Sequence, residues 1–216
     1  MRKIAVVLSG SGYLDGSEIQ EAVLTLLAIE NAGQQWTAFC PNIEQSDVIN
    51  HLDTSPTDTN RNALAEAARI VRGEVSDLAG ANADEFDACI IVGGYGVAKS
   101  LTTFASDGFD FTINTDLEKF LRGFLDHKKP VGFMCISPIL ITKLCDKGTQ
   151  FTIGNNSEMS TTISEMGFTH KNCESDDIVT DPFAKVVSTP AKMLDNNLVE
   201  LSMGIEKLVK QVLALI

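Results

Sequence analysis

One cysteine stands where a nucleophile is expected. In the segment GFMCISP, Cys135 follows a short apolar run that predicts a buried strand, and Pro138 suits the first turn of a helix. A residue that ends a strand and opens a helix has the arrangement of a nucleophile elbow. The helix N-terminus also favours thiolate over thiol. We therefore predict a reactive, catalytic Cys135; the alternative is a buried cysteine that packs as a small hydrophobe.

Backbone amides near this cysteine are suited to stabilising a developing negative charge. The N–H of Ile136 opens the predicted helix, where no intrahelical acceptor is available to it. The segment GGYG, from Gly93 to Gly96, follows another predicted strand at the sheet edge where ligands bind in open α/β folds. We predict that the amides of Gly94 and Ile136 form an oxyanion hole. Taken alone, GGYG is more typical of an ordinary tight turn.

A carboxyl group is expected at the same edge. Glu18 lies in the segment DGSE after the first predicted strand, and it has two interpretations. With Asp15 three residues before it, Glu18 matches a capping box that closes a helix N-terminus. Placed at the sheet edge, it would exchange protons with Cys135 as a catalytic residue. Spacing does not separate the two.

The glycine-rich loop SGSGYLDGSE is a poor match to a dinucleotide fingerprint. Its glycines stand at 10, 12 and 16, so the third comes one residue late for GxGxxG. The second predicted strand ends in Cys40 and Pro41, with no acid to hold a ribose hydroxyl. No cofactor is predicted.

The other cysteines and the histidines show no metal-site spacing. The chain has five cysteines and three histidines, with no CxxC pair, so no metal is predicted. Cys40, Cys89 and Cys145 are expected to be structural, and Cys173 to be more exposed. His170 is the histidine nearest a predicted strand, and the sequence leaves its role open.

Composition limits the class of protein. The 216 residues with 44% hydrophobic content predict a single domain, residues 1–216. A net charge of −12 argues against binding of nucleic acid or acidic lipid. The apolar segments are shorter than a membrane span, the N-terminal apolar run is too short for a signal sequence, and the odd number of cysteines suits a reducing compartment. We predict a cytoplasmic protein.

Alternating strand and helix patterns predict a mostly parallel α/β sheet that would position these side chains. Strands are expected at 3–9, 35–40, 87–92 and 129–134, with a hairpin over 177–189. Helices are expected at 17–33, 61–73, 115–127 and 136–145, and a last helix buries a stripe of Leu198, Leu201, Ile205, Leu208 and Val212. The excursion from Pro41 to Gly73 is less regular, and we expect it to serve function or dimer contact.

Three segments together carry a resemblance to a known family: LSGSGYLDGSEIQEAVLTLLAIENAG, GGYGVAKSLTTFA and KPVGFMCISP. With them the chain resembles the ElbB family of isoprenoid-biosynthesis-associated, amidotransferase-like proteins, within the PfpI and class I glutamine amidotransferase-like superfamily. The resemblance covers nearly the whole chain. It implies a flavodoxin-like three-layer sandwich, a nucleophile at Cys135, an acidic partner at Glu18, oxyanion donors at Gly94 and Ile136, and a homodimer. It also implies a cofactor-independent glyoxalase that converts glyoxal, a small dicarbonyl, to glycolate.

The chain departs from the wider superfamily at two positions. PfpI-type proteases carry a histidine directly after the cysteine, where this chain has Ile136. Glutamine amidotransferases use His-Pro-Glu where this chain has Thr189, Pro190 and Ala191. Without a base and its orienting group, amide hydrolysis is the weakest hypothesis. A glyoxalase is favoured, and a non-catalytic or redox-responsive protein with a reactive cysteine is the alternative.

Overall fold

A computed structural model describes residues 1–155 and 157–216. The strands are β1 (Lys3–Val7), β2 (Gln35–Cys40), β3 (Val75–Asp77), β4 (Ala88–Ile91), β5 (Val131–Met134), β6 (Gln150–Phe151), β7 (Thr169–His170), β8 (Val179–Asp181) and β9 (Val186–Thr189). The helices are α1 (Ile19–Asn31), α2 (Ala63–Ile70), α3 (Phe104–Asp107), α4 (Thr115–Leu125), α5 (Ile141–Leu144), α6 (Ser157–Glu165) and α7 (Leu198–Ala214).

The central sheet confirms the predicted α/β fold. Within the described residues it has seven strands in the order β3-β2-β1-β4-β5-β9-β8, and only the β8–β9 pair is antiparallel. Strands β4, β5 and β9 are buried along their whole length, as expected for parallel strands covered on both faces. A second, two-stranded sheet pairs β6 with β7.

Helices cover both faces of the sheet. On one face, apolar side chains of α1, α2 and α7 pack on alternate residues of β1 and β4, such as Ile4 and Ile90. On the other face, the intervening residues, such as Val7 and Ile91, belong to a second apolar cluster that includes residues of α4, α5 and α6. This period of two follows from the pleat, which sends successive side chains to opposite faces.

The order of the strands places the site. The chain builds β2 and β3 on one side of β1 and then crosses to β4 on the other, so β1 and β4 form a switch point. The loops after β1, β4 and β5 therefore meet at one carboxyl edge. These loops carry Glu18, Gly94 and Cys135.

Several predicted elements differ in detail. The helix expected over 136–145 is a 3-10 turn, Ser137–Leu140, followed by the single-turn helix α5. Leu198 is 54% exposed, because it is the first residue of α7 and lies outside the buried stripe that the other four residues form. The short strand β3 is an element that the sequence does not predict. No helix in the described part of the chain is long and apolar enough to cross a membrane.

Candidate active site

Cys135 occupies a strained backbone position at the end of β5. Its φ is +60°, in the left-handed region that non-glycine residues rarely adopt, which costs on the order of 1–3 kcal/mol. Two contacts hold it there. The Cys135 N–H donates to the Thr189 carbonyl at 3.1 Å, and the buried Ser137 hydroxyl accepts from the Met134 N–H at 2.9 Å. The side chain is 7% exposed.

The carboxyl group that meets Cys135 belongs to Glu21. It is fully buried in the first turn of α1, lies beside Cys135 at Gly93, and shifts the pKa of the cysteine thiol. Each of its two oxygens accepts a hydrogen bond from a backbone N–H, one from Gly93 at 3.0 Å and the other from Lys192 at 3.1 Å. Gly93 must be a glycine, because a Cβ there would overlap both the Cys135 Cβ and the Glu21 carboxyl. The carboxyl and the thiol are thus packed against the same backbone atom.

Burial sets the protonation of Glu21. Loss of solvation and the nearby Glu18 carboxyl raise the pKa of Glu21 to about 8, against the lowering effect of the two amides and the thiol. Near neutral pH, Glu21 therefore exchanges a proton readily, which an ordinary glutamate does not. A carboxyl poised in this range is suited to general acid–base chemistry.

The thiol itself is subject to opposing effects. Burial and the Glu21 carboxylate raise the pKa of Cys135 well above its usual value, while the backbone amides of Gly94 and Ile136 lower it. We expected the helix N-terminus to favour the thiolate, but the net effect is the opposite. Burial raises the pKa of the thiol by more than the N-terminus of a short 3-10 turn lowers it. A thiolate forms here only when Glu21 takes the thiol proton.

The predicted oxyanion donors lie at the sulfur. Gly94 has φ +100° and no space for a Cβ, which would overlap the backbone of Gly16 and Glu18. This conformation lets its amide face Cys135 from the β4 side, while the Ile136 amide faces it from the elbow. Their role as an oxyanion hole stays a prediction, and their placement suits it.

Glu18 caps α1. It is the N-cap residue, and its carboxylate accepts from the Glu21 N–H at 2.7 Å. Burial raises the pKa of Glu18, while the hydrogen bond from the Glu21 amide and the charge of Lys192 lower it by less. The capping box with Asp15 is not formed, since the Asp15 carboxylate accepts instead from the Ile49 N–H at 2.8 Å. The carboxyl group beside the sulfur is that of Glu21, one turn further along the helix, whereas the predicted catalytic role of Glu18 remains untested.

The chain is similar to known proteins over nearly its whole length. No protein-family model matches the chain. The rat "ES1 protein homolog, mitochondrial" is 38% identical over 99% of this chain and 84% of its own length. The human "Glutamine amidotransferase-like class 1 domain-containing protein 3, mitochondrial" is 38% identical over 99% of this chain and 83% of its own length. The chain belongs to the ES1 family of glutamine amidotransferase-like proteins.

Solved structures place the ES1 family chain in a wider fold group. An isoprenoid biosynthesis protein with an amidotransferase-like domain from Ehrlichia chaffeensis is 34% identical, with a TM-score of 0.92, over 100% of this chain and 99% of that one. Glyoxalase III from Candida albicans, at 14% identity and TM-score 0.62 over 99% of this chain and 96% of that one, shares the fold alone. The amidotransferase-like, DJ-1/ThiJ/PfpI-type fold is therefore confirmed, whereas membership of the ElbB family stays a prediction.

The predicted cytoplasmic location is wrong by these comparisons. The ES1 proteins of rat and zebrafish and the human glutamine amidotransferase-like protein are all named as mitochondrial. The apolar and charge patterns used for the prediction report on solubility and redox state, and both are compatible with an organelle interior. The predicted homodimer stays a prediction.

Other candidate residues of this ES1-family chain have structural contacts. His170 Nε2 accepts from the Ile153 N–H at 3.3 Å, and burial lowers its pKa. Cys173 is buried rather than exposed, and Cys145 is half-buried. Within residues 1–155 and 157–216, no group of three or more His, Cys, Asp or Glu side chains could hold a metal ion.

Large clefts lie away from the thiol. One, of about 750 Å³, is lined by Trp36 and Asp77 among others, and a second, of about 570 Å³, by Cys145 and Phe183. Cys135 lines neither of them.

Proposed function

We propose that the protein is a cofactor-independent glyoxalase that converts glyoxal to glycolate through a hemithioacetal on Cys135. The observation that carries the proposal is the placement of the Cys135 thiol and the Glu21 carboxyl side by side on Gly93, with the Gly94 and Ile136 amides lowering the pKa of the thiol. A thiol adds readily to an aldehyde, and a carboxyl with a pKa of about 8 is able to accept and return protons in neutral solution. The small exposed area at Cys135 suits a two-carbon dialdehyde.

The first step forms a carbon–sulfur bond. Glu21 as carboxylate takes the Cys135 proton, and the sulfur attacks one aldehyde carbon of glyoxal. The amides of Gly94 and Ile136 stabilise the negative oxygen that develops. Glu21 then returns its proton to that oxygen. The product is a hemithioacetal whose second aldehyde is unchanged.

The second step moves hydrogen between the two carbons. Glu21 removes the C–H proton beside sulfur and passes it to the second oxygen, as the electron pair shifts to give the enediol –S–C(OH)=CH(OH). Glu21 then takes the proton of the hydroxyl on the carbon beside sulfur and passes it to the second carbon, which leaves a thioester, –S–C(=O)–CH₂OH. Water then cleaves the C–S bond, releasing glycolate and the free thiol. One carbon is oxidised and the other reduced, so the reaction needs no external oxidant or reductant.

The absence of a histidine after the nucleophile supports this chemistry over amide hydrolysis. A hydrolase must protonate a leaving amine, which a histidine held by a carboxylate does in the usual triads. In this chain the residue after Cys135 is Ile136, and His170 is bonded to the Ile153 backbone. Aldehyde addition followed by proton shifts has no leaving amine, and a single carboxyl is sufficient for it.

The direct test is turnover of glyoxal by the purified protein without added glutathione, followed by ¹H NMR in deuterated buffer. We expect glycolate above the rate in buffer alone, with deuterium on its methylene carbon, because the Glu21 proton exchanges with solvent. Release of ammonia from glutamine is the control for an amidase. Glycolate no faster than in buffer would favour a non-catalytic or redox-responsive protein.

A further inference from the structure

The turn between β9 and α7 contacts both members of the Cys135–Glu21 pair. The Thr189 carbonyl accepts from the Cys135 N–H at 3.1 Å, and the Lys192 N–H donates to Glu21 at 3.1 Å. Within the turn, the buried Ala191 has φ +47°, a left-handed conformation that costs a non-glycine residue free energy. Such a conformation persists only where surrounding contacts hold it.

Asn196 supplies those contacts. Its side-chain amide donates to the Ala191 carbonyl at 2.7 Å, and its backbone carbonyl accepts from the Lys192 ammonium at 3.1 Å. The turn is further closed by the Met193 N–H, which donates to the Pro190 carbonyl at 3.0 Å. Asn196 thus holds the peptide unit between Ala191 and Lys192 in place, and the N–H of that unit donates to the Glu21 carboxyl.

We propose that Asn196 is a positioning residue, which locks the Ala191 turn so that the Lys192 amide stays directed at the Glu21 carboxyl. It acts through the backbone and touches neither substrate nor sulfur in this role. This inference rests on the role of Glu21 in the proposed function. It goes beyond that role because it assigns control of the Glu21 proton to a side chain on a separate segment, 175 residues further along the chain.

The charged surroundings of Glu21 define the expected direction. The titratable groups that face it are Glu18 on its own helix and Cys135 at the elbow, and the Lys192 ammonium acts on Glu18. The Lys192 amide favours the carboxylate form of Glu21, because it donates to that form. Losing this hydrogen bond should therefore raise the pH at which Glu21 ionises.

The test is the rate of Cys135 alkylation by iodoacetamide as a function of pH, with peptide mapping to assign the site. The rate should rise as Glu21 ionises and accepts the thiol proton. In Asn196→Ala we expect the midpoint to move upward by about one pH unit, the size expected for one hydrogen bond to a charged group. Amide hydrogen exchange at Lys192 should become on the order of tenfold faster.

Asn197→Ala is the matched control. This neighbouring residue caps α7 by accepting from the Val199 and Glu200 amides, and it does not contact Ala191 or Lys192 in the described contacts. In Asn197→Ala the midpoint of the Cys135 alkylation rate against pH should match the wild-type value. Asn196→Ser, whose side chain is too short to reach the Ala191 carbonyl, serves as a second variant if Asn196→Ala does not fold, and it should shift in the same direction.

Two results would overturn the inference. One is an unchanged midpoint in a folded Asn196 variant, and the other is an equal shift in Asn197→Ala, which would mark a general loss of structure. Because alkylation needs no glyoxal, a protein without glyoxalase activity would still give a clear answer. Failure of the proposed reaction and failure of the positioning role are therefore distinguishable.

Discussion

Cys135→Ser should reduce glycolate formation from glyoxal by on the order of a thousandfold or more, as is usual when a catalytic nucleophile is removed. Serine can adopt the left-handed backbone at the same cost as cysteine, so the elbow at φ +60° should be retained. Its hydroxyl has a far higher pKa than the thiol and is a poor nucleophile without a strong base. Glycolate is quantified by ¹H NMR at fixed protein concentration.

Cys145→Ser is the control for loss of a thiol elsewhere. Cys145 is half-buried in a separate cleft, and burial with neighbouring Asp146 and Asp181 raises its pKa to about 12. Its replacement should leave turnover close to the wild-type rate. Substantial turnover in Cys135→Ser, with the fold intact by circular dichroism, would remove the covalent hemithioacetal from the mechanism.

Glu21→Gln should lower turnover by roughly a hundred- to ten-thousandfold, the usual contribution of general acid–base catalysis. An amide fills the same space but carries no exchangeable acidic proton. It can accept only one of the two N–H groups that the carboxyl accepts, from Gly93 and Lys192, so stability is checked by denaturant unfolding. Turnover and the extent of hemithioacetal formation, by mass spectrometry of the intact protein, are measured together.

Glu18→Gln is the paired variant. Glutamine can still accept from the Glu21 N–H and cap α1, so we expect turnover within a few-fold of wild type. The opposite pattern, with Glu18→Gln inactive and Glu21→Gln active, would return the proton-carrying role to Glu18. Equal losses in both variants would show that the two carboxyls act together.

Much of the fold follows from local patterns. Continuous apolar runs predict the buried strands β1, β4 and β5, and their carboxyl ends must share one edge once the sheet is parallel. The elbow at Cys135 is predicted for the same reason, since a strand that turns at once leaves its last residue at that edge. The turn residues between two apolar runs predict the hairpin of β8 and β9, and the antiparallel pairing of these strands confirms it.

The acidic partner is harder to predict. Glu18 and Glu21 are both acids near the start of one helix. Which of them lies beside Cys135 depends on the face of α1 that meets the sheet. Glu21 is one residue before the buried Ala22 and four before the buried Thr25, so helical periodicity places it on the inner face. Its acceptance of the Lys192 amide could not be predicted from local sequence, because it depends on a turn held by Asn196.

The raised pKa of Glu21 also has a consequence for stability. The ordinary value is 4.5 and the folded value is about 8, so the folded state keeps a proton that the unfolded chain has already lost across this interval. Folding stability from this group is therefore greatest below pH 4.5 and falls by ~1.4 kcal/mol per pH unit until about pH 8. A buried carboxyl retained at that cost is consistent with a functional role.

Titration of the Glu21 carboxyl tests the proton-sharing pair most directly. With ¹³C-labelled glutamate, the Glu21 side-chain carbonyl resonance is assigned by its disappearance in Glu21→Gln and followed by NMR against pH. We predict a midpoint near pH 8, because burial disfavours the carboxylate. A midpoint near the ordinary value of 4.5 would make Glu21 too weak a base to take the proton of a thiol whose own pKa is raised, which would contradict the mechanism.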